Sequence, residues 1–507
     1  MSSTLPPATA AIDSDLPTLD LGARERSLDP EDWDAMRALG HRMIDDVMTY
    51  LMTLSERPVW QRPDARALDA YREPLPAKGS SPERIYEEYQ RNILPFLIGN
   101  AHPRFWGWVT GTGTPLGMLA DLLASGTNAH AAFGDQSATH VERQVIGWFT
   151  KAFDLPASAG GLLVSSGSTA NLTGLTAARD AMVPEFLQDG AGGMQGVRCV
   201  VYASDEVHNS VDKAMGIIGL GRRNLRRVET DDDYRIVPSA LERAIAEDRA
   251  AGRRPICIIA TAGTVNTGAI DDLEALARIA RREGLWLHVD GAFGASLGVS
   301  SRLRHLVRGI EHADSIAFDF HKWFYVPYDV GCVLVRDETH LRNSFSPPAT
   351  YLAKLDRGIV GGGVSYGSLG ADLSRRFRAL KVWMSFKEHG AERYGEQIEQ
   401  NVAQARYLSR LIEREPELEL AAPVPLNIVC FRYVGSRRAG TDSDHVNREV
   451  LMRLQESGIA APSSTVLDGR FVIRVAITNH RSTRGDFDAL VSAAVTIGRQ
   501  LEAEGTT

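Results

Sequence analysis

The sequence predicts an α/β fold, with a mostly parallel sheet covered on both faces by helices, followed by a smaller α+β domain. Three observations carry that expectation. From about residue 115 to 335, short apolar runs of strand length alternate with amphipathic helical patterns. Residues 162–165, 199–202, 256–259 and 285–289 are the strand candidates, and residues 272–282 form one of the helices between them. Such alternation builds βαβ units and hence a parallel sheet. The chemically distinctive residues cluster just after these runs, where sheets of this kind bind ligands. The pattern then changes near residue 390: a long helix over 394–413, strands at 428–431 and 471–474, and a closing helix from Asp486.

The elements before the sheet are sparser. Residues 1–27 are rich in Ser, Thr, Pro, Ala and Asp and read as a loose arm. A helix is expected to begin at Asp29-Pro30, with Asp29 as N-cap and Pro30 at the first position. Trp33, Met36, Leu39, Met43, Val47 and Leu51 then recur at helical spacing. That apolar face needs a partner, either the chain's own core or another subunit.

Composition excludes several function classes. The chain has 507 residues, 44% of them apolar, enough for a large core and more than one folded unit. Its net charge of −8 leaves no basic footprint for nucleic acid. Cys199, Cys257, Cys332 and Cys430 lie in apolar runs with no CxxC spacing, so neither disulfides nor a metal centre is expected, and a reducing cytoplasm fits best. Residues 1–26 lack the cationic start and apolar stretch of a secretory signal, and no apolar span reaches membrane length.

The residue that demands explanation is Lys322, in Asp319-Phe320-His321-Lys322-Trp323. It follows the buried strand pattern of residues 313–320 and precedes Trp323-Phe324-Tyr325-Val326. A lysine lodged there must be paired, neutralised or used covalently, because desolvating an ammonium is expensive. Amines in such surroundings are good nucleophiles toward carbonyl compounds. Three further features stand after successive strands. Ser165-Ser166-Gly167-Ser168-Thr169 opens a helix over 170–179, and its N–H groups at the positive end of the helix dipole make a phosphate site; a plain Ser/Thr cap would look the same. Asp290 ends a strand and precedes Gly291-Ala292-Phe293, which leaves room for something flat. As metal ligand it has only His288 near it, so a counter-ion role, for instance to a protonated pyridine nitrogen, explains it better. His208 follows the 199–202 strand, either as a polar loop residue or as a ring stacked on a planar ligand.

With these in place the chain resembles the group II pyridoxal phosphate-dependent amino acid decarboxylases, relatives of aromatic-L-amino-acid decarboxylase, from roughly residue 30 to 495. The resemblance rests on Val207-His208-Asn209-Ser210 with Lys213, His288-Val289-Asp290-Gly291-Ala292-Phe293, His321-Lys322-Trp323 and Arg375-Arg376-Phe377-Arg378-Ala379-Leu380-Lys381. It implies the fold type I of pyridoxal phosphate enzymes, with a seven-stranded sheet and a homodimer whose active site lies at the subunit interface. The implied organisation is an arm at 1–27, a helical dimerisation segment at 28–110, a cofactor-binding domain at 111–385 and a small domain at 386–507.

The resemblance also implies roles. Lys322 would hold pyridoxal 5'-phosphate through its amine, and Asp290 would pair with the pyridine nitrogen. His208 would stack on one ring face and Ala292 on the other. Ser166, Gly167, Ser168 and His321 would hold the phosphate. Asp319 stands where aromatic decarboxylases often carry Asn, and an acid there should repel a phosphate, so it is expected to point elsewhere. Tyr351, on a Pro/Gly-rich loop ending in Gly361-Gly362-Gly363, falls where family members carry the tyrosine that protonates Cα; members with Phe there tend to form aldehydes. Val265 replaces a frequent second Thr and receives no role. For the substrate, Trp108 is the side-chain pocket residue, Asn128 and His130 lie on a segment lent by the neighbouring subunit, and Ser374 stands at a position often Gly. Arg474 matches an arginine that glutamate-type members place on the substrate carboxylate; a domain-interface ion pair is the alternative. An aromatic or imidazole amino acid is the expected substrate, with acidic, aliphatic and diamino amino acids left open. The rival outcomes are carbon–carbon lyase or aldehyde-forming chemistry on the same scaffold, or a cofactor-binding protein without turnover.

Overall fold

The computed structural model describes residues 27–194, 196–346, 357–359, 361, 364–435 and 443–505. Among these described residues, twelve strands form two sheets. The larger contains β2 (Gly160–Val164), β3 (Cys199–Ser204), β4 (Leu225–Val228), β5 (Arg254–Thr261), β6 (Trp286–Asp290), β7 (Ser315–Asp319) and β8 (Gly331–Val335). The smaller contains β1 (Phe105–Trp106), β9 (Leu418–Leu420), β10 (Ile428–Tyr433), β11 (Ala461–Leu467) and β12 (Arg470–Ala476).

The large sheet runs β2-β8-β7-β6-β5-β3-β4. Only β8 runs against its neighbours, pairing antiparallel with both β2 and β7. The other six strands therefore present their carboxyl ends along one edge. Nearly every residue in them is buried, as a sheet covered on both faces requires. The expected seven-stranded, mostly parallel sheet is thus present; β2, β3, β5, β6 and β7 lie within a few residues of the predicted runs, whereas β4 and β8 correspond to no run singled out in the sequence.

The small sheet runs β1-β11-β12-β10-β9. Its first strand comes from far upstream: Phe105 and Trp106 pair in parallel with Ala461 and Pro462. Periodicity over 105–106 is too short to announce such a strand. Trp106 is fully buried against Phe487 at 5.0 Å between ring centres, so the segment is packed into the small domain's core as well as hydrogen-bonded to its edge. A 36-residue helix, Ala379–Arg414, crosses the expected boundary at 385/386, interrupted where Gly390 takes a left-handed φ of 72°.

The first helix, Trp33–Met52, starts later than expected. Its N-cap is Asp32, whose Oδ1 accepts the N–H groups of Asp34 and Ala35, both at 2.9 Å. Asp29 instead closes a short turn with Ser27. The correction has a simple cause: Asp32 directly precedes the apolar stripe, so capping there begins the helix where its packing face begins. Trp33 and Met43 on that face remain exposed.

Aromatic packing fixes the turn that carries Lys322. Phe149 stands within 4.7–5.5 Å, between ring centres, of Phe320, Phe386, Phe324 and Phe318. Each such pair contributes on the order of 1 kcal/mol beyond its burial. Between Phe320 and Val326, Lys322 alone is not fully buried.

Candidate active site

Four loops leave the same sheet edge and converge: those after β2, β3, β6 and β7. The β7 loop brings Lys322, whose Nζ lies 2.9 Å from Asp319 Oδ2. The lysine side chain is 21% exposed while the aspartate's is only 2%. Asp319 therefore does not point elsewhere, as its sequence position led us to expect; it provides the counter-charge that lets an ammonium sit at a buried strand end. Its other oxygen, Oδ1, is buried without a hydrogen-bond partner among the described residues.

The β2 loop supplies the cradle. Ser166 is the N-cap of the helix Gly167–Met182, its Oγ taking the Thr169 N–H at 3.3 Å. Ser168 is exposed in the first turn. A Cβ at Gly167 would fall 2.6 Å from Asp319 Oδ2, so only glycine keeps this loop open over the β7 end. His321 is buried, with Nδ1 3.0 Å from the Val330 carbonyl oxygen, and its ring lies 4.2 Å, centre to centre, from Tyr328. Burial lowers the His321 pKa below the usual histidine value, so it is held neutral. Tyr328 was not singled out from sequence; a tyrosine six residues beyond a lysine carries no local signal.

Asp290 ends β6, between Thr261 of β5 and Ala317 of β7. It is buried and doubly anchored: Asn171 Nδ2 donates to Oδ2 at 2.9 Å, and the Ala292 N–H donates to Oδ1 at 3.1 Å. Ala292 follows at the half-buried start of the β6 loop. His208, the N-cap of the helix Asn209–Ile217, holds an exposed ring, with Nδ1 2.8 Å from Ser210 Oγ. Asn171 Nδ2 also donates to Ser210 Oγ at 3.1 Å, so the β3 and β6 residues are tied through one amide. Asn171 lies one helical turn beyond Gly167, on the face toward the sheet; helical spacing marks that face but not the partners it meets there.

Arg474, in β12, approaches from the small domain. Its Nη1 donates to the Trp108 carbonyl at 2.9 Å and to Ser463 Oγ at 3.2 Å, and its Nε donates to the Asn266 carbonyl at 3.3 Å. No ion pair holds it among the described residues, and Nη2 is buried without a partner. Burial pushes its pKa down to about 10, which leaves it charged near neutrality. The Trp108 segment itself runs across the lysine turn, because a Cβ at Gly111 would collide with the His321 and Lys322 carbonyl oxygens. Trp108 is 57% exposed and borders a separate cavity of about 300 Å³ with Trp60, Phe105, Leu451 and Pro462.

Other predicted residues lie on the outside of this single chain. Asn128 is the left-handed C-cap of the helix Pro115–Thr127, which by itself accounts for an asparagine there. His130 and Ser374 are exposed. The Ala131 N–H donates to the Arg375 carbonyl, so the neighbourhoods of His130 and Ser374 are joined. Val265 is half-buried against the main core. Tyr351 lies outside the described residues.

The family profile described as "Pyridoxal-dependent decarboxylase conserved domain" matches residues 66–434. The chain belongs to the pyridoxal phosphate-dependent decarboxylases. It is 37% identical over 454 residues to an aromatic-L-amino-acid decarboxylase of Bacillus atrophaeus, covering 89% of this chain and 92% of that one. Among solved structures it superimposes on the TDC of Oryza sativa crystallised with PLP and tryptamine, with a TM-score of 0.86, 29% identity and coverage of 94% and 100%. A 4-hydroxyphenylacetaldehyde synthase of Rhodiola rosea matches with a TM-score of 0.84, 27% identity and coverage of 93% and 100%. Thus the same architecture serves decarboxylases and aldehyde synthases.

The site fits the family's cofactor. A glycine-gated helix N-terminus suits a phosphate, a doubly anchored carboxylate suits a ring nitrogen, and a part-exposed lysine stands between them. Among the described residues, no helix is long and apolar enough to cross a membrane.

Proposed function

We propose that this protein decarboxylates an L-amino acid with an aromatic or imidazole side chain, releasing the amine and carbon dioxide, as a cytoplasmic homodimer. The observation that carries the amino-acid part is Arg474: a buried, charged guanidinium with a spare donor and no carboxylate partner among the described residues, hydrogen-bonded to the backbone of the Trp108 segment. A substrate carboxylate supplies the missing charge, and the segment that crosses Lys322 carries the aromatic residues.

In this reading Lys322 holds the cofactor, leaving its pairing with Asp319. Asp290 keeps the ring nitrogen's proton in place. Ser166, Gly167, Ser168 and His321 take the phosphate, while His208 and Ala292 close on the two ring faces. When bound, pyridoxal phosphate would supply the electron sink that loss of the substrate carboxylate requires. Tyr351 then delivers a proton from its hydroxyl to Cα.

The partner subunit would cover the open side of the site, at Asn128, His130 and Ser374. Leu122, Leu123 and Leu373 are exposed beside them, an apolar patch that supports an interface here. The free, buried cysteines are consistent with a reducing compartment.

An aldehyde-forming outcome is the second reading, favoured by the likeness to the Rhodiola synthase. One assay separates them. Aromatic, imidazole, acidic and diamino L-amino acids are offered in turn, and amine with carbon dioxide is scored against aldehyde with ammonia and hydrogen peroxide. Amine is expected from the aromatic or imidazole group, and Tyr351→Phe should shift product toward aldehyde. Unchanged amine yield without aldehyde in that variant would remove Tyr351 from the reaction.

A further inference from the structure

Behind Asp290 lies a chain of buried hydrogen bonds. Trp286 Nε1 donates to Ser315 Oγ at 2.8 Å; Ser315 Oγ lies 2.7 Å from His288 Nδ1; His288 Nε2 lies 2.8 Å from Asn171 Oδ1. Asn171 Nδ2 then reaches Asp290 Oδ2 and Ser210 Oγ, and Ser210 reaches His208 Nδ1 through both Oγ and its N–H. The four residues Ser315, His288, Asn171 and Ser210 are each 2% exposed or less.

Donor and acceptor chemistry gives this chain one direction. An indole N–H only donates, and a carboxylate only accepts. Ser315 receives the Trp286 proton and passes its own to His288 Nδ1. His288 must then carry its proton on Nε2 and donate to Asn171 Oδ1. The Asn171 amide is thereby oriented with Nδ2 toward Asp290 and Ser210; the flipped amide would set N–H against N–H at one end and oxygen against carboxylate at the other. Ser210, having accepted from Asn171, sends its hydroxyl proton to His208 Nδ1, which leaves the neutral His208 proton on Nε2. Every link is satisfied in this sense, and reversing any one leaves a buried polar group unmade, at a cost of about 1–3 kcal/mol.

We propose that His288 and Asn171 are positioning residues: they orient the donor that aims Asp290 and set the ring tautomer of His208, so that both flanks of the cofactor site are fixed from one buried point. The proposal rests on the cofactor reading above. Desolvation holds His288 neutral, with its pKa lowered to about 4, as a one-proton relay in this chain requires. Gly174 leaves room for the ring, since a Cβ there would lie 2.9 Å from His288 Cε1.

The test compares His288→Leu with His288→Gln. Glutamine can accept from Ser315 and donate to Asn171; leucine fills the space but does neither. Two quantities are read: the dissociation constant for pyridoxal phosphate, from the visible band on titration, and the ring ¹⁵N shifts of His208 in the cofactor-free protein. His288→Leu should weaken cofactor binding about tenfold or more, the scale of one hydrogen bond to a charged group. It should also release His208 from a single tautomer, and His288→Gln should restore most of both. If the leucine variant fails to fold, Gly174→Ala displaces the same ring and should give the same two changes. Wild-type values of both quantities in His288→Leu would overturn the proposal while leaving the cofactor reading intact. A wild-type chain that gives no visible band with pyridoxal phosphate would overturn the reading and the proposal together.

Discussion

Asp290 and Arg474 are both buried charged side chains, 3% and 2% exposed, and they are held in opposite ways. Asp290 receives a side-chain donor on one oxygen and a backbone donor on the other, within a hydrogen-bond chain that reaches Trp286. Arg474 rests on carbonyl and hydroxyl oxygens, faces no carboxylate among the described residues and keeps Nη2 unpartnered. The contrast separates a floor, completed by the protein itself, from a rim that retains an uncompensated charge. A buried cation without a counter-ion is costly, so the rim is where an incoming carboxylate has most to gain.

This comparison can be broken at either end. The largest effect is expected at the floor, from Lys322→Ala. Loss of the covalent anchor should cut carbon dioxide release by roughly 10⁴-fold or more and abolish the visible band of the lysine-bound cofactor. Retention of that band would place the attachment elsewhere.

Next is the floor's dependence on neutral His288. Its folded-state pKa, about 4, lies below the ordinary 6.5, so the unfolded chain binds more protons between those values. Stability is therefore complete above pH 6.5 and falls as the pH drops toward 4, by up to about 3 kcal/mol from this residue. Burial pushes His102 and His480 down as well, to about 4 and about 3. Denaturant melts across this range should show His288→Gln removing one proton's share of the slope, and an unchanged slope would mean His288 is not held neutral.

At the rim, Arg474→Leu should raise KM for the amino acid about 10- to 100-fold, the scale of a charge-assisted hydrogen bond, with little change in affinity for pyridoxal phosphate. Equal losses in both would erase the distinction between floor and rim. The smallest effect is expected at the partner of Lys322. Asp319→Asn removes the pair that holds Lys322 in the cofactor-free protein, and it also removes an acid from beside the phosphate cradle. Both changes favour the loaded state, so cofactor affinity should rise roughly fivefold, about 1 kcal/mol. Weaker binding would show that Asp319 helps the cofactor rather than competing with it.

The chemistry of the floor was legible in sequence because each of its residues directly follows a strand, and a parallel sheet gathers its strand ends along one edge. Lys322, Asp290, His208 and the Ser166–Ser168 turn all carry that local mark. Asn171 does not: its bonds to Asp290 and His288 span 119 and 117 residues, and no periodicity encodes a contact across two βα units. Asp319 was misjudged because its partner depends on the turn after β7, which aromatic packing sets rather than local propensity. The N-cap moved from Asp29 to Asp32 for a related reason, since both residues can cap and packing chose between them. The surroundings of Arg474 come from β12, β11, the Trp108 segment and the loop at Asn266 together, so neither its carbonyl partners nor its lack of an ion pair among the described residues could be read from one stretch.

The pairing of β1 with β11 has a consequence for how this chain is made. Residues 105 and 106 leave the ribosome long before residues 461 and 462, yet they complete the same sheet. Until the last quarter of the chain is synthesised, β1 has no strand to join, and Trp106 has no Phe487 to pack against. The small domain expressed alone would expose the edge of β11 that β1 covers, and an uncovered edge recruits other strands. Its folding is thereby tied to the other end of the polypeptide, and a truncated product lacking residues 105–106 should self-associate where the full chain does not.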